Sequence, residues 1–161
     1  MCLKKYLSVK RFFFVCFVLF VPTFTIGQAA YIKRYKPFAD SLAAVAEMPA
    51  SVILGVAGLE SGFGTSRNAK LLRNHFGVKG KNRLRKTKKI KSAYKQYLTV
   101  EDSYIDFVRI VKNKRFYETL KGNKDYTLWI NAISKSGYSE VPKTWTSRVL
   151  QIIKRYKLED L

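Results

Sequence analysis

A single glutamate, Glu60, is the side chain in this sequence best suited to acid–base chemistry. It directly follows the apolar run Val52–Leu59. A carboxyl group beside apolar surface has a raised pKa, because burial disfavours its anion, and it can then donate a proton to a leaving oxygen. Gly62 and Gly64 follow, and their lack of side chains lets a bulky substrate approach the backbone. The alternative is that Glu60 simply ends a helix and points into water, although the helix dipole disfavours an anion there.

The sequence contains few residues that could support other kinds of catalytic chemistry. The two cysteines, Cys2 and Cys16, lie close to the N-terminus, and His75 is the single histidine. One histidine rules out a multi-histidine metal site, and a serine–histidine triad could rest only on His75. We therefore expect neither a metal nor a cofactor.

The first 29 residues have the layout of a secretory signal peptide. Four basic residues precede the uncharged and almost wholly apolar stretch Phe12–Ile26, and small residues follow at Gly27 and Ala29. The apolar stretch is shorter than the ~20 residues that a membrane span needs, so an uncleaved anchor is the less favoured alternative. The sequence predicts a signal peptide over 1–29 and an exported domain over 30–161, either periplasmic or extracellular and associated with the cell wall.

The predicted exported domain is strongly basic. The signal segment carries four of the 31 basic residues and none of the 11 acids, which leaves the domain a net charge of +16. An exported protein of this charge is attracted to polyanions. Residues 79–95 concentrate the charge and form either a solvated lobe or a surface that holds an anionic wall or membrane. Nucleic acid is disfavoured as a partner, because only Tyr94 and Tyr97 supply aromatic rings among these basic residues.

Helical periodicity dominates the rest of the sequence. A first helix is predicted over 30–47, and a second begins at Pro49 and includes the run Val52–Leu59, which is apolar on every side and therefore buried. A buried strand is the alternative for that run. Residues 77–97 predict an irregular or hairpin-like lobe. Further helices are predicted to begin at Thr99, Asp125 and Pro142. The sequence thus predicts one mainly helical domain, which we expect to be a monomer.

Three blocks of sequence occur in an order and spacing typical of one enzyme family. The first is a proline-opened helix that ends in Glu60-Ser61-Gly62-Phe63-Gly64. The second is Asn74-His75-Phe76-Gly77-Val78-Lys79, and the third is Gly137-Tyr138-Ser139-Glu140-Val141-Pro142. Together they resemble the peptidoglycan glucosaminidases of glycoside hydrolase family 73, the mannosyl-glycoprotein endo-β-N-acetylglucosaminidase-like domains. The resemblance extends from about residue 31 to residue 158.

The resemblance implies a fold, a reaction and a set of site residues. The implied fold is a lysozyme-like helical domain with a groove for peptidoglycan strands. The implied reaction is hydrolysis of the β-1,4 bond between N-acetylglucosamine and N-acetylmuramic acid. The catalytic acid falls on Glu60 and the active-site tyrosine on Tyr138, which would order a water or the acetamido group unless it packs in the core or bonds the backbone. The further residues implied to contact substrate are Ser61, Phe63, Asn74, Phe76, Trp129 and Glu140. The aromatic residues among them are either sugar-stacking walls or parts of the core.

The sequence departs from the family pattern in its carboxylates. Many members carry a second glutamate in the lobe, whereas no acid lies between Glu60 and Glu101 here. Two-carboxylate glycosidases use the second group as base or nucleophile. Either the acetamido oxygen of the substrate attacks instead, or a later acid such as Glu140 or Glu101 positions water. The gap also leaves open a lytic transglycosylase or muramidase, or a non-catalytic module that binds a wall polyanion.

Overall fold

The computed structural model describes residues 26–87 and 90–160, and this part of the chain is mainly helical. The helices are α1 (Ile26–Ala46), α2 (Ala50–Ser61), α3 (Arg67–Leu72), α4 (Arg83–Lys86), α5 (Val100–Lys112), α6 (Tyr117–Leu120), α7 (Tyr126–Ile133) and α8 (Pro142–Arg155). A π-helical turn, Ser134–Tyr138, follows α7, and a 3₁₀ turn, Leu158–Asp160, follows α8. None of the described helices is long and apolar enough to cross a membrane. The predicted helical fold class is confirmed.

Helix α1 begins four residues before the predicted start of the exported domain. It includes Gly27 and Ala29, where signal-peptide cleavage is predicted. The Tyr156 hydroxyl donates a hydrogen bond to Gln28 Oε1, which ties this first turn to the end of α8. Most of the predicted signal peptide lies outside the described residues, so the peptide and its cleavage stay predictions.

Helix α2 forms the centre of the core. The side chains of Val52, Ile53 and Val56 are completely buried, and α2 packs mainly against α1 and α8. A helix that is apolar on every side is stable only when surrounded, so the predicted buried helix is confirmed and the buried strand is excluded. Gly55 allows the close approach of α8, because a Cβ at this position would lie 2.7 Å from Ile153 Cγ1.

Polar side chains and a proline mark the helix starts that the sequence predicts. Thr99 Oγ1 accepts a hydrogen bond from the Asp102 amide (3.1 Å), and Asp102 Oδ2 accepts one from the Thr99 amide (2.9 Å). This reciprocal capping box satisfies two amides that the first turn of α5 leaves unpaired. Asp125 accepts from the Thr127 amide (2.8 Å) at the start of α7, and Pro142 opens α8. These starts fix the ends of the loops that surround the site described below.

The described part of residues 77–97 forms the predicted hairpin-like lobe. It contains one antiparallel bridge, between Lys79 and Tyr94, and the short helix α4. The Asn82 side-chain amide donates to the carbonyls of Ser92 and Tyr94, at 3.0 and 2.9 Å. Because this buried amide pairs backbone groups that a regular sheet would otherwise satisfy, the lobe keeps its shape without extended strands.

The contact between α2 and α8 generates the first prediction. Gly55→Ala should lower the free energy of unfolding by up to about 2 kcal/mol. Overpacking of the added methyl group against Ile153 costs about 1–3 kcal/mol, and the higher helix propensity of alanine offsets ~1 kcal/mol of this. Denaturant unfolding of the purified protein measures the change.

The Ile153→Ala background supplies the control for this contact. Ile153→Ala removes the atoms that clash, so adding Gly55→Ala to that variant should leave its stability unchanged or increase it. Comparison of the two single variants with the double variant then isolates the energy of the contact. A Gly55→Ala protein more stable than the wild type in the unmodified background would contradict the packing argument.

Candidate active site

Glu60 lies in the last turn of α2 and faces the lobe, and we call the space between this end of α2 and Gly77 of the lobe the cleft. Gly62 closes the helix in the left-handed conformation (φ 57°), and its amide donates back to the carbonyls of Gly58 and Leu59. Across the cleft lies Gly77, where a Cβ would be only 3.1 Å from Glu60 Oε2. The φ of Gly77 is +65°, so both its conformation and the nearby carboxyl group require glycine. The Glu60 carboxyl group is therefore held directly against the backbone of the lobe.

The surroundings of Glu60 favour its protonated form. Burial raises the pKa of the Glu60 carboxyl group, and this effect outweighs the lowering by a Trp145 hydrogen bond and by the Arg148 charge. The Trp145 indole Nε1 donates to Glu60 Oε1 at 2.7 Å. One carboxyl oxygen is thus anchored by α8. A raised pKa is the property that a carboxyl group needs to act as a general acid near neutral pH.

Tyr138 lies beside this carboxyl group and joins the π-helical turn to the lobe. Its hydroxyl donates to the Phe76 carbonyl at 2.6 Å, and its ring centroid lies 5.5 Å from that of Trp145. Burial, together with the negative charge of Glu60, raises the pKa of Tyr138 well above its ordinary value. The hydroxyl is therefore neutral and already committed as a donor, while its oxygen can still accept a hydrogen bond.

Ser61 and Asn74 lie next to the cleft but act within the protein. Ser61 is fully buried; its hydroxyl donates to the Ala57 carbonyl (2.6 Å) and accepts from the Gly64 amide (2.8 Å). Asn74 is buried too, and its amide donates to the carbonyls of Val78 and Lys95, at 2.9 and 2.8 Å. We assign both side chains to shaping the backbone around the cleft rather than to touching substrate.

Two of the three aromatic residues expected to contact sugar belong to the core. Phe76 is 1% exposed and stacks on Phe107 with ring centroids 4.4 Å apart. Trp129 is fully buried, and its indole donates to a backbone carbonyl at 2.9 Å. Neither presents a ring face to a ligand. The third residue, Phe63, is half-buried, and its ring packs edge-on against Tyr31 and Tyr156.

Glu140 reaches from the loop after Tyr138 to the lobe. Its Oε1 lies 3.3 Å from Lys79 Nζ, and both side chains are exposed. An exposed ion pair of this kind contributes little to stability, about 0–1 kcal/mol. The contact therefore shows that the loop and the lobe face each other, and either partner can leave the pair to meet a ligand.

Sequence reasoning did not assign Trp145, Arg148 or Tyr94 to the site. Trp145 is buried and its indole N–H needs an acceptor, and this general requirement of a buried tryptophan was the only signal for the contact. Arg148 lies one turn further along α8, and its charge acts on Glu60. Tyr94 lies beside Gly77, 4.0 Å from the position of a Cβ there. These contacts join distant parts of the sequence, so spacing alone does not reveal them.

A buried hydrogen-bond network supports the base of the lobe from behind. The Tyr31 hydroxyl lies 2.8 Å from both His75 Nδ1 and the Tyr104 hydroxyl. Burial lowers the pKa of His75 to about 4, so the ring is neutral at physiological pH. Within residues 26–87 and 90–160, no group of three or more histidine, cysteine or acidic side chains is placed to hold a metal ion.

The cations of the basic run 79–95 divide into two groups. Most of those in the described part are exposed to solvent. Lys95 is partly buried, and its Nζ lies 2.7 Å from Asp106 Oδ2. Asp106 is also paired with Arg109 (2.5 Å) and accepts from the Tyr97 hydroxyl (2.7 Å). Within its described residues, the lobe is therefore anchored to α5 through Lys95 and leaves its other cations at the surface.

Two relatives in Vibrio species are similar to this chain. The protein named peptidoglycan hydrolase FlgJ in Vibrio parahaemolyticus is 27% identical over 150 residues, which cover 82% of this chain and 48% of that relative. Its counterpart in Vibrio cholerae is 24% identical over 144 residues, covering 78% of this chain and 43% of the relative. The chain thus spans about half the length of these relatives.

Solved structures with the same fold come from bacterial cell-wall hydrolases. The catalytic domain of the Listeria monocytogenes autolysin Auto matches with a TM-score of 0.67 and 18% identity, covering 87% of this chain and 90% of that one. The glycoside hydrolase domain of Salmonella typhimurium FlgJ matches with a TM-score of 0.60 and 19% identity, covering 83% and 90%. At such identities the likeness establishes the fold, and it confirms the predicted lysozyme-like helical domain.

A family model accounts for most of the chain. The glucosaminidase model, described as mannosyl-glycoprotein endo-beta-N-acetylglucosaminidase, matches residues 36–158. This range contains Glu60, Tyr138 and all of the lobe, and it agrees with the resemblance seen in the sequence blocks. The chain belongs to the mannosyl-glycoprotein endo-beta-N-acetylglucosaminidase family of glycoside hydrolases.

Proposed function

We propose that this chain is an exported peptidoglycan hydrolase that cleaves the β-1,4 bond between N-acetylglucosamine and N-acetylmuramic acid, with Glu60 as its general acid. The observation that carries the proposal is the Glu60 carboxyl group, which lies in the cleft against Gly77 and has a raised pKa. Family membership and relatives named peptidoglycan hydrolases support the substrate. Export rests on the signal-peptide layout of residues 1–29.

In the proposed reaction, Glu60 protonates the glycosidic oxygen as the bond from that oxygen to C1 breaks. The acetamido carbonyl oxygen of the N-acetylglucosamine forms a bond to C1 and gives a cyclic oxazolinium ion. Water then attacks C1 and reopens the ring, while the Glu60 carboxylate accepts a proton from the water. Tyr138 would hold the acetamido N–H through its hydroxyl oxygen, because its own proton is donated to Phe76. The net change is addition of one water across the glycosidic bond.

The distribution of acids supports this substrate-assisted route. No acid lies between Glu60 and Glu101 in the sequence. The charge of Glu101 acts on His75 and Tyr35, behind the base of the lobe. Glu140 is exposed and paired with Lys79. Neither acid is bonded to a group that holds Glu60. The acetamido oxygen of the substrate is therefore the better candidate for the role that a second carboxylate has in other glycosidases.

The exposed cations of residues 79–95 would help the enzyme to reach its substrate. A surface of one charge sign raises the local concentration of an oppositely charged polymer. We therefore propose that this lobe faces anionic wall polymers or the membrane surface. Such steering weakens as salt is added, because the charges are solvated.

Digestion of purified peptidoglycan tests the bond and the acid together. The wild type should release fragments with new N-acetylglucosamine reducing ends, which borohydride converts to N-acetylglucosaminitol for mass spectrometry. Glu60→Gln should lower the rate at least ~100-fold, because a general acid contributes a factor of about 10²–10⁴. Glu118→Gln, an exposed acid on α6, is the matched control and should retain wild-type activity.

Other products would revise the proposal in defined ways. Muramitol ends would indicate a muramidase, and anhydromuramyl ends a lytic transglycosylase, which needs only one acid. No product from the wild type, with binding to peptidoglycan retained, would indicate a non-catalytic module. Full activity in Glu60→Gln would remove Glu60 from the reaction.

Trp145→Phe tests how α8 tunes the acid. The indole hydrogen bond lowers the pKa of Glu60, so its loss should raise that pKa further. Because the protonated acid is the active form, the alkaline limb of kcat/KM against pH should move to higher pH. Trp129→Phe, which loses an indole bond to the Asn123 carbonyl instead, should leave the limb in place. A limb unmoved in Trp145→Phe would show that another group controls it.

The raised pKa of Glu60 also predicts how stability depends on pH. A group whose pKa is higher in the folded state stabilises the protein at low pH, and this contribution is lost as pH rises through the folded pKa. Glu60→Gln mimics the protonated form at every pH. Its stability relative to the wild type should therefore increase from pH 4 to pH 7, measured by denaturant unfolding. A constant or decreasing difference would contradict the burial of this carboxyl group.

A further inference from the structure

A concave surface whose lining residues do not include Glu60 takes no part in the proposed chemistry. It is a groove of about 660 Å³ between α6, α7 and the segment that precedes α6. Its floor is apolar and is formed by Phe116, Leu120, Leu128 and Ala132. Leu128 is 46% exposed, so the floor is an open apolar surface and not an enclosed tunnel.

The rim of this groove is cationic. Lys114, Arg115 and Lys135 line it, and none of its described lining residues is acidic. Lys114 is held in place, because its Nζ donates to the Ser136 carbonyl at 3.2 Å. Arg115 and Lys135 are exposed, and no described acid forms an ion pair with either. The groove therefore offers an apolar floor and two uncompensated charges to a ligand.

The groove is linked to the candidate active site by a short piece of chain. Lys135 and Ser136 belong to the π-helical turn that ends at Tyr138. Two residues of chain span at most ~7 Å. Tyr138 packs on Trp145, which holds the Glu60 carboxyl group. A substituent on a glycan strand that passes Tyr138 can therefore reach the groove.

We infer that this groove binds the stem peptide carried by the muramyl residue of peptidoglycan. A stem peptide combines alanine methyl groups with free carboxylates, which match the apolar floor and the two free cations. Four or five extended residues span about 13–18 Å, more than the ~7 Å that two residues of chain can place between Ser136 and Tyr138. This inference rests on the proposed function, because the strand must lie in the cleft for the stem to arrive there.

The test compares strands with and without stems. Soluble peptidoglycan strands are divided, and one half is stripped of its stem peptides by an N-acetylmuramoyl-L-alanine amidase. The ratio of kcat/KM on stem-bearing strands to kcat/KM on stripped strands is measured for wild type and for Arg115→Gln/Lys135→Gln. The control is Lys33→Gln/Lys124→Gln, which removes two other exposed cations.

The groove variant should lower this ratio about fivefold, mainly through KM, because each exposed charge pair contributes about 0.5 kcal/mol. The control should keep the wild-type ratio. A groove variant with an unchanged ratio would overturn the inference while leaving the hydrolase proposal intact. Cleavage of neither kind of strand by the wild type would instead overturn the proposed function.

A binding measurement tests the groove independently of catalysis. An N-acetylmuramyl tetrapeptide is titrated into the full chain, and its Kd is measured by calorimetry. Weaker binding by the groove variant, and also by Leu128→Asn, supports the inference even in an inactive protein. If these variants instead lose binding only to vesicles containing phosphatidylglycerol, the groove meets a lipid surface, and the stem-peptide inference is overturned.

Discussion

Burial of α2 is the constraint on which the rest of the site depends. The helix is apolar on every side, so α1 and α8 must enclose it, and Gly55 lets α8 approach closely. The same enclosure brings Trp145 of α8 to the last turn of α2, where Glu60 emerges. The helix stops at the left-handed Gly62, and the Glu60 side chain just before it remains partly buried. The core and the raised pKa of Glu60 are therefore two consequences of one packing arrangement.

A second buried group makes the stability of the site depend on pH in the opposite sense. Burial lowers the pKa of His75 from 6.5 to about 4, so its contribution to stability is present above 6.5 and is lost as pH falls towards 4. The contribution of Glu60, whose pKa is raised, is lost as pH rises. The two contributions therefore oppose each other: lowering the pH removes the His75 contribution, and raising the pH removes the Glu60 contribution.

Local patterns predicted the elements, and three-dimensional contacts decided the roles of side chains. The buried helix, the Thr99 cap and the hairpin-like lobe follow from apolar periodicity, a side chain–backbone bond and turn-forming composition, all of which are readable over a few residues. The family resemblance suggested sugar contacts for Phe76 and Trp129, yet tertiary packing places both in the core. The bond from Trp145 to Glu60 joins residues 85 positions apart, and no local pattern encodes it.

The pKa of Glu60 is raised although the protein carries a large excess of cations. Cations lower the pKa of a carboxyl group, yet that of Glu60 is raised, because burial outweighs both the indole bond and the Arg148 charge. Water and salt screen the exposed cations of the lobe, with a screening length of about 8 Å at physiological ionic strength.

Lys95, the cation of the lobe that lies deeper, is neutralised by Asp106. Burial would raise the pKa of Asp106, but bonds from Lys95, Tyr97 and Arg109 outweigh it, so this acid stays ionised. The surface can therefore attract a polyanion while the pKa of the acid in the cleft stays raised.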